Sequence, residues 1–225
     1  MKHATLLTGI VRSVERELAT VYRFSPRAEA SNHLVDRHTI QASLGDAASQ
    51  LPEWQARGGV WLLGDDPDLF IGIHIDDSVT STLAAADPLT RLSSDNLDAF
   101  CVVVEEVSHF HMIINRASDG RGVSKLELEC QGELDKLLVA ALLLQRQSGH
   151  AHVTALARTL FDAAAVVSQQ TGLYEAATRY AARWWYTAAT PDAHLAPEAL
   201  NQLRAQYKAP LAEKLTAPMH LKKAS

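Results

Sequence analysis

The sequence predicts a mainly α-helical fold with one small β-hairpin, an α+β bundle built around two long antiparallel helices. Apolar residues recur at helical spacing along most of the chain. Two short runs near 59–76 instead alternate with period two around turn-forming residues. The string Ser124-Lys125-Leu126-Glu127 has the capping-box spacing and divides a long apolar region into two helices over about 94–147. With 225 residues, 47% of them hydrophobic, the chain is long enough for one sizeable core, and a single domain over 1–225 is expected.

Between Ile10 and Phe24, Val11, Val14, Leu18, Val21 and Tyr22 form the stripe of an amphipathic helix, ended by Pro26. Ser31 to Arg57 is polar and irregular, with a short helix around Ala47 to Trp54 as its one regular element. The period then changes. Val60-Trp61-Leu62-Leu63 and Leu69 to Ile75 flank the turn-rich Gly64-Asp65-Asp66-Pro67-Asp68, which predicts a hairpin. In the second run Ile71, Ile73 and Ile75 form an aliphatic face that should pack on helices, while Phe70, Gly72 and His74 alternate with them. A lone hairpin is marginal in water, so it must lean on other elements or gain a strand.

Ser94 to Ala117 is apolar almost all round and reads as a helix that exits at Ser118-Asp119-Gly120-Arg121-Gly122. The capped helix that follows runs to about Gln147, where Ser148-Gly149 stops it. Further helices are predicted at Val153 to Gln169, Leu173 to Ala188 and Pro197 to Tyr207, the last with a proline in its first turn. No repeat or low-complexity tract interrupts this pattern.

Composition excludes several classes. A net charge of -5, spread without runs of one sign, argues against nucleic acid as a partner. The longest apolar stretch, Leu137 to Leu144, is far short of the roughly 20 residues a membrane span needs, so no membrane is expected. At the N-terminus Arg12, Glu15, Arg16 and Glu17 interrupt any signal-like segment. Cys101 and Cys130 lie in apolar helical patterns and read as reduced, buried thiols, which together with the N-terminus predicts a cytoplasmic protein. No Gly-x-Ser-x-Gly elbow or His-Glu-x-x-His motif occurs. Gly120-Arg121-Gly122 has neither a preceding strand nor the spacing of a nucleotide-binding loop.

The chemistry-bearing residues concentrate on the two long helices. At about 100° per residue, Phe100, Val103, Val104, Val107, Phe110 and Ile114 share one face of the first, with His111 among them. The opposite side carries Glu105, His109 and Arg116 but also Val102, Met112 and Ile113, so neither side is a solvated face. On the second helix Leu126, Cys130, Leu134, Leu137, Ala141 and Leu144 form the apolar face, bordered by Glu129, Glu133 and Lys136. An antiparallel hairpin would bring position 109 level with about 133 and 111 level with about 131, letting His111 meet Glu133. Glu106 and His109, three apart, can engage one ion or one proton.

Glu106, His109, His111, Glu129 and Glu133 are therefore the candidate metal ligands, a mixed carboxylate and imidazole set suited to zinc, iron or manganese. A di-iron bundle would need a second Glu-x-x-His, and Glu106-Val107-Ser108-His109 occurs once. The competing reading is a structural ion-pair network with Arg158, Arg179 or Arg183. Arg179 and Arg183, beside the stripe Leu173, Ala177, Tyr180 and Trp184, are candidate binders of an anionic ligand. Trp185 and Tyr186 lie off that stripe and suggest an interface, and His150-Ala151-His152 reads as a solvated loop pair.

Three function classes follow. The first is a metal- or small-ligand-binding enzyme, favoured by titratable groups on helices too apolar to face water. The second is an interaction or regulatory module that meets a protein partner through the hairpin and aromatic surface, and the third a structural oligomer-forming subunit, such as a homodimer. Substrate and reaction are not written in the residues.

Overall fold

Helix α1, Lys2–Tyr22, follows the predicted stripe: Ile10, Val11, Val14, Leu18, Val21 and Tyr22 are all buried. It belongs to a computed structural model that describes residues 2–51, 56–64, 70–150, 153–162, 172–188, 197–210 and 213–214. The chain divides into two compact units, residues 1–17 with 25–122 and residues 18–24 with 123–225, so that α1 supplies residues to both. Among the described residues the protein is mainly helical with one small sheet, as its hydrophobic periods predict, and no helix is long and apolar enough to cross a membrane.

In the first unit the region read as irregular contains short regular elements. A 3-10 turn, Ala30–His33, leads into strand β1, Leu34–Val35, and helix α2, Arg37–Leu44, follows. A second 3-10 segment, Gly45–Gln50, stands where part of the 47–54 helix was expected, and residues 52–54 of that prediction lie outside the described residues. Asp36 starts α2 by accepting the amide of Thr39 at 2.7 Å, a local cap that the apolar pattern does not announce.

Strands β2, Gly58–Leu63, and β3, Phe70–Ile75, pair antiparallel as the alternation predicts, and β1 adds to β3 in parallel to give the order β1-β3-β2. The hairpin thus gains its strand from residues too few to carry a period. Residues 65–68 of the predicted turn and residue 69 of the run after it lie outside the described residues. Ile73 and Ile75 are buried on the aliphatic face, which packs on helix α4, Leu97–Ser118. The opposite face is also covered: Trp61 and Leu63 join Ile40 and Leu44 of α2 and Val35 of β1 in one cluster. Gly72 on this face is needed for space, since a β-carbon there would stand 2.8 Å from Val35 Cγ2.

Between β3 and α4 lies helix α3, Asp77–Ala85, absent from the sequence reading. Its cap is Asp76, whose Oδ1 accepts from the Ser78 amide at 2.9 Å and hydroxyl at 2.6 Å. The loop to α4 is held by buried Asn96, which donates to the carbonyls of Ala86 and Arg91 and accepts from the amide of Ser93, each at 2.9 Å.

The second unit contains α5, Lys125–Ser148; α6, Val153–Ala157, prolonged by a wider π turn, Arg158–Asp162; α7, Gly172–Ala188; and α8, Pro197–Lys208. Residues 163–169 of the predicted helix at 153–169 lie outside the described residues. Ser124 caps α5 by accepting the Glu127 amide at 3.2 Å, and Gly149 ends it at φ 78°, a left-handed conformation that favours glycine. Helix α7 packs along α5. Trp185 is buried and meets Trp184 edge to face, so this tryptophan belongs to the core and not to the exposed interface expected for it. The side chain of Tyr186 and residues 151–152 of the loop pair lie outside the described residues.

Candidate functional site

Both long helices bury titratable groups, as their all-round apolarity implies. On α4 of the first unit Glu106, His109 and His111 are buried, and on α5 of the second unit Glu127, Glu129, Glu133 and Asp135 are. A charged side chain in such a place needs a partner or a ligand.

His109 stands at the centre of the α4 group. One turn before it lie Glu105 and Glu106, so both carboxylates reach the same imidazole. His109 Nδ1 lies 3.7 Å from Glu106 Oε2, an ion-pair contact longer than a hydrogen bond. Glu105 and His109 each bring a ligand-type atom within 4.8 Å of the other. Glu106 is fixed from the sheet side: a β-carbon on Gly58 would fall 2.8 Å from Glu106 Cγ and 2.9 Å from Val102 Cγ1. The absence of a side chain on the first residue of β2 thus gives the carboxylate its place. Glu105 was read as part of the opposite face and left out of the ligand set, although its spacing of four from His109 was a usable signal.

His111 pairs with the first helix. Its Nε2 is 2.9 Å from Glu15 Oε2, and the amide of Ala30 donates to the same oxygen at 2.7 Å. Glu15 was not among the partners the sequence suggested for His111. The signal existed, since Glu15 falls within the stripe Val11, Val14, Leu18 and Tyr22. Burial pushes the Glu15 carboxyl upward, but the hydrogen bonds from His111 and Ala30 and the charges of His111 and Arg12 outweigh it and hold it below the usual range.

In the second unit Glu133 Oε1 accepts from Lys136 Nζ at 2.7 Å, so the charged ribbon predicted along α5 is partly self-paired. Lys214, buried near the C-terminus, donates to Glu127 Oε1 at 3.2 Å, and nothing in the apolar pattern pointed to it. Burial raises the Cys130 thiol to about 12; Lys214 opposes this and Glu129, Glu133 and Glu127 reinforce it. That is the core cysteine the sequence implies. Buried Asp135 accepts from the hydroxyl of Tyr22 and, at 3.0 Å, from Gln131 Nε2. Arg179 and Arg183 are exposed on α7, and Arg179 is paired with Glu175 at 2.5 Å.

The arrangement on α4 provides an imidazole with a carboxylate behind one ring nitrogen and a second carboxylate one turn away. Imidazole and carboxylate donors together suit a divalent metal, and a carboxylate at the far nitrogen is the usual way a ligating histidine is oriented. Compared with protein-family models, with curated proteins and with solved structures, the chain matches none.

Proposed function

We propose that this protein is a metal-binding enzyme whose divalent ion, zinc, iron or manganese, is held by His109 and Glu105. The observation that carries the reading is the buried His109 imidazole between two carboxylates, with Glu106 at Nδ1. In this reading Nε2 is the ligand atom and Glu106 orients the ring and raises its basicity. A metal so bound polarises a water or a substrate oxygen, which is the chemistry it would supply. Glu129 is carried as a further ligand on the sequence argument alone. His111 and Glu133 are not needed, because Glu15 and Lys136 engage them.

Those ion pairs favour a second reading, in which the acidic and histidine side chains form a structural network without an ion. Elemental mass spectrometry of the dialysed protein, before and after loading with zinc, manganese or iron(II), separates the two. About one equivalent per chain is expected, lost in His109→Ala and Glu105→Gln while circular dichroism is retained, and the Glu129→Gln variant reads its contribution separately. Failure to retain any of the three metals after loading would sink the metal reading in favour of the network.

A further inference from the structure

The face of the sheet that packs on α2 carries two buried polar atoms that the core does not use. Trp61 and His74 are 7% and 6% exposed, and among the described residues neither Trp61 Nε1 nor His74 Nε2 has a hydrogen-bond partner. Buried donors and acceptors are nearly always satisfied, so two on one sheet face need an explanation.

Register brings them together. Gly59 of β2 is the direct partner of His74 on β3, and cross-strand partners share a face with β-carbons about 5 Å apart. Trp61, two residues along β2, is on that face as well. Its indole folds back along the strand, so that Nε1 lies 3.0 Å from the place a β-carbon on Gly59 would take. The indole N–H thus occupies the side-chain position opposite His74. On the imidazole, Nδ1 is directed at the Val35 carbonyl of β1, at 3.4 Å. Since β1 lies on the other side of β3 from β2, the Nδ1 edge of the ring is the one turned toward β1.

The Val35 contact selects between the two neutral tautomers. A carbonyl only accepts, so a hydrogen bond to Val35 requires the proton on Nδ1 and leaves Nε2 a bare acceptor. Burial lowers the His74 pKa, with Arg37 adding to the effect and the Val35 carbonyl, Asp76 and Asp77 opposing it, so the ring is neutral near pH 7. The pair therefore offers one donor and one acceptor that do not bond each other.

We propose that Trp61 and His74 form a binding site for a single hydroxyl group, which accepts from the indole Nε1–H and donates to His74 Nε2. Water and the hydroxyl of a small alcohol share this chemistry. The site is separate from the α4 group and does not depend on it holding a metal.

The test uses the whole chain, by long-range proton–nitrogen NMR of the histidines and water-selective cross-relaxation at the Trp61 indole proton, together with a high-resolution crystal structure. The expected result is the Nδ1–H tautomer at His74 and compact density within hydrogen-bond reach of both nitrogens. A cross-peak from water to the Trp61 indole proton identifies water as the occupant, whereas elongated density without that cross-peak identifies an alcohol. Trp61→Phe removes the donor and should abolish the density. An Nε2–H tautomer or a charged His74 at neutral pH, or the lack of density between the two nitrogens, overturns the proposal, and neither observation requires a variant to fold.

Discussion

Glu15 on α1 and His111 on α4 are 96 residues apart in the chain and 2.9 Å apart in space, and the carboxylate also takes the amide of Ala30. One oxygen thereby joins the first helix, the turn after it and the long helix of the same unit. Removing one member of a buried pair strands the other, so Glu15→Ala should cost about 3–5 kcal/mol in urea denaturation. Because the folded carboxyl titrates below its unfolded counterpart, this stabilisation is present above the usual glutamate range and disappears as pH falls through the lower folded value. The gap between the wild type and Glu15→Gln should therefore narrow as pH drops from roughly 6 to 3. A gap independent of pH would mean that the ionised carboxylate does not carry the interaction.

Asp76 caps α3 and also accepts from Arg37 at 2.7 Å. The Ser78 hydroxyl, then Arg37, then the Ser78 amide hold its carboxyl well below the usual aspartate range. Asp76→Ala should cost about 1–2 kcal/mol through the lost cap, with less than about 1 kcal/mol more from the partly exposed ion pair. Asp76→Asn retains an acceptor and should recover most of the cap. If denaturation finds the two variants equally unstable, the ionic contact outweighs the cap.

Gly58 sets the position of Glu106. An alanine there must displace the Glu106 side chain or Val102, since its β-carbon would fall under 3.0 Å from both. Gly58→Ala should destabilise the protein by about 1–3 kcal/mol. If Glu106 orients His109, it should also weaken metal retention in the dialysis measurement, although the substitution touches neither proposed ligand. Unchanged retention would remove Glu106 from that role.

Cys130, buried and raised to about 12, should resist alkylating and disulfide reagents at pH 8 in the native protein and react after unfolding in guanidinium. Rapid native labelling of Cys130, located by mass spectrometry of peptides, would contradict its placement in the core.

What the sequence made legible was whatever repeats. The stripe Val11 to Tyr22, the alternation of Ile71, Ile73 and Ile75, and the capped start at Ser124 each emerge from several residues that agree, and each is found in place. Elements made by one or two residues were not legible. β1 has only Leu34 and Val35, and α2 and α3 are short helices whose caps, Asp36 and Asp76, sit in polar strings resembling loops. On α4 the spacing of Glu106 and His109 gave their proximity, because neighbours on one helix are a local matter. Glu15 for His111 and Lys214 for Glu127 are long-range pairings that no local period encodes. Trp185 was misread because a single stripe was assumed for a helix that buries a second side.

Helix α1 also limits how the chain can be cut. Tyr22, from its last turn, gives its hydroxyl to Asp135, accepts from Gln131 at 2.8 Å and stacks on Tyr207 at 4.3 Å, while Arg204 holds the carbonyl of Val21 at 2.6 Å. The second unit is therefore discontinuous in the gene. A fragment begun at Val123 lacks the tyrosine that a buried aspartate uses, and its hydrophobic residues would be made without the segment they fold around. During synthesis residues 18–24 emerge about a hundred residues before the rest of their unit, so their contacts with α5 and α8 form only once those helices have been made. A second unit made on its own would need residues 18–24 placed ahead of Val123, and a cut at the glycine-rich stretch before it would leave them behind.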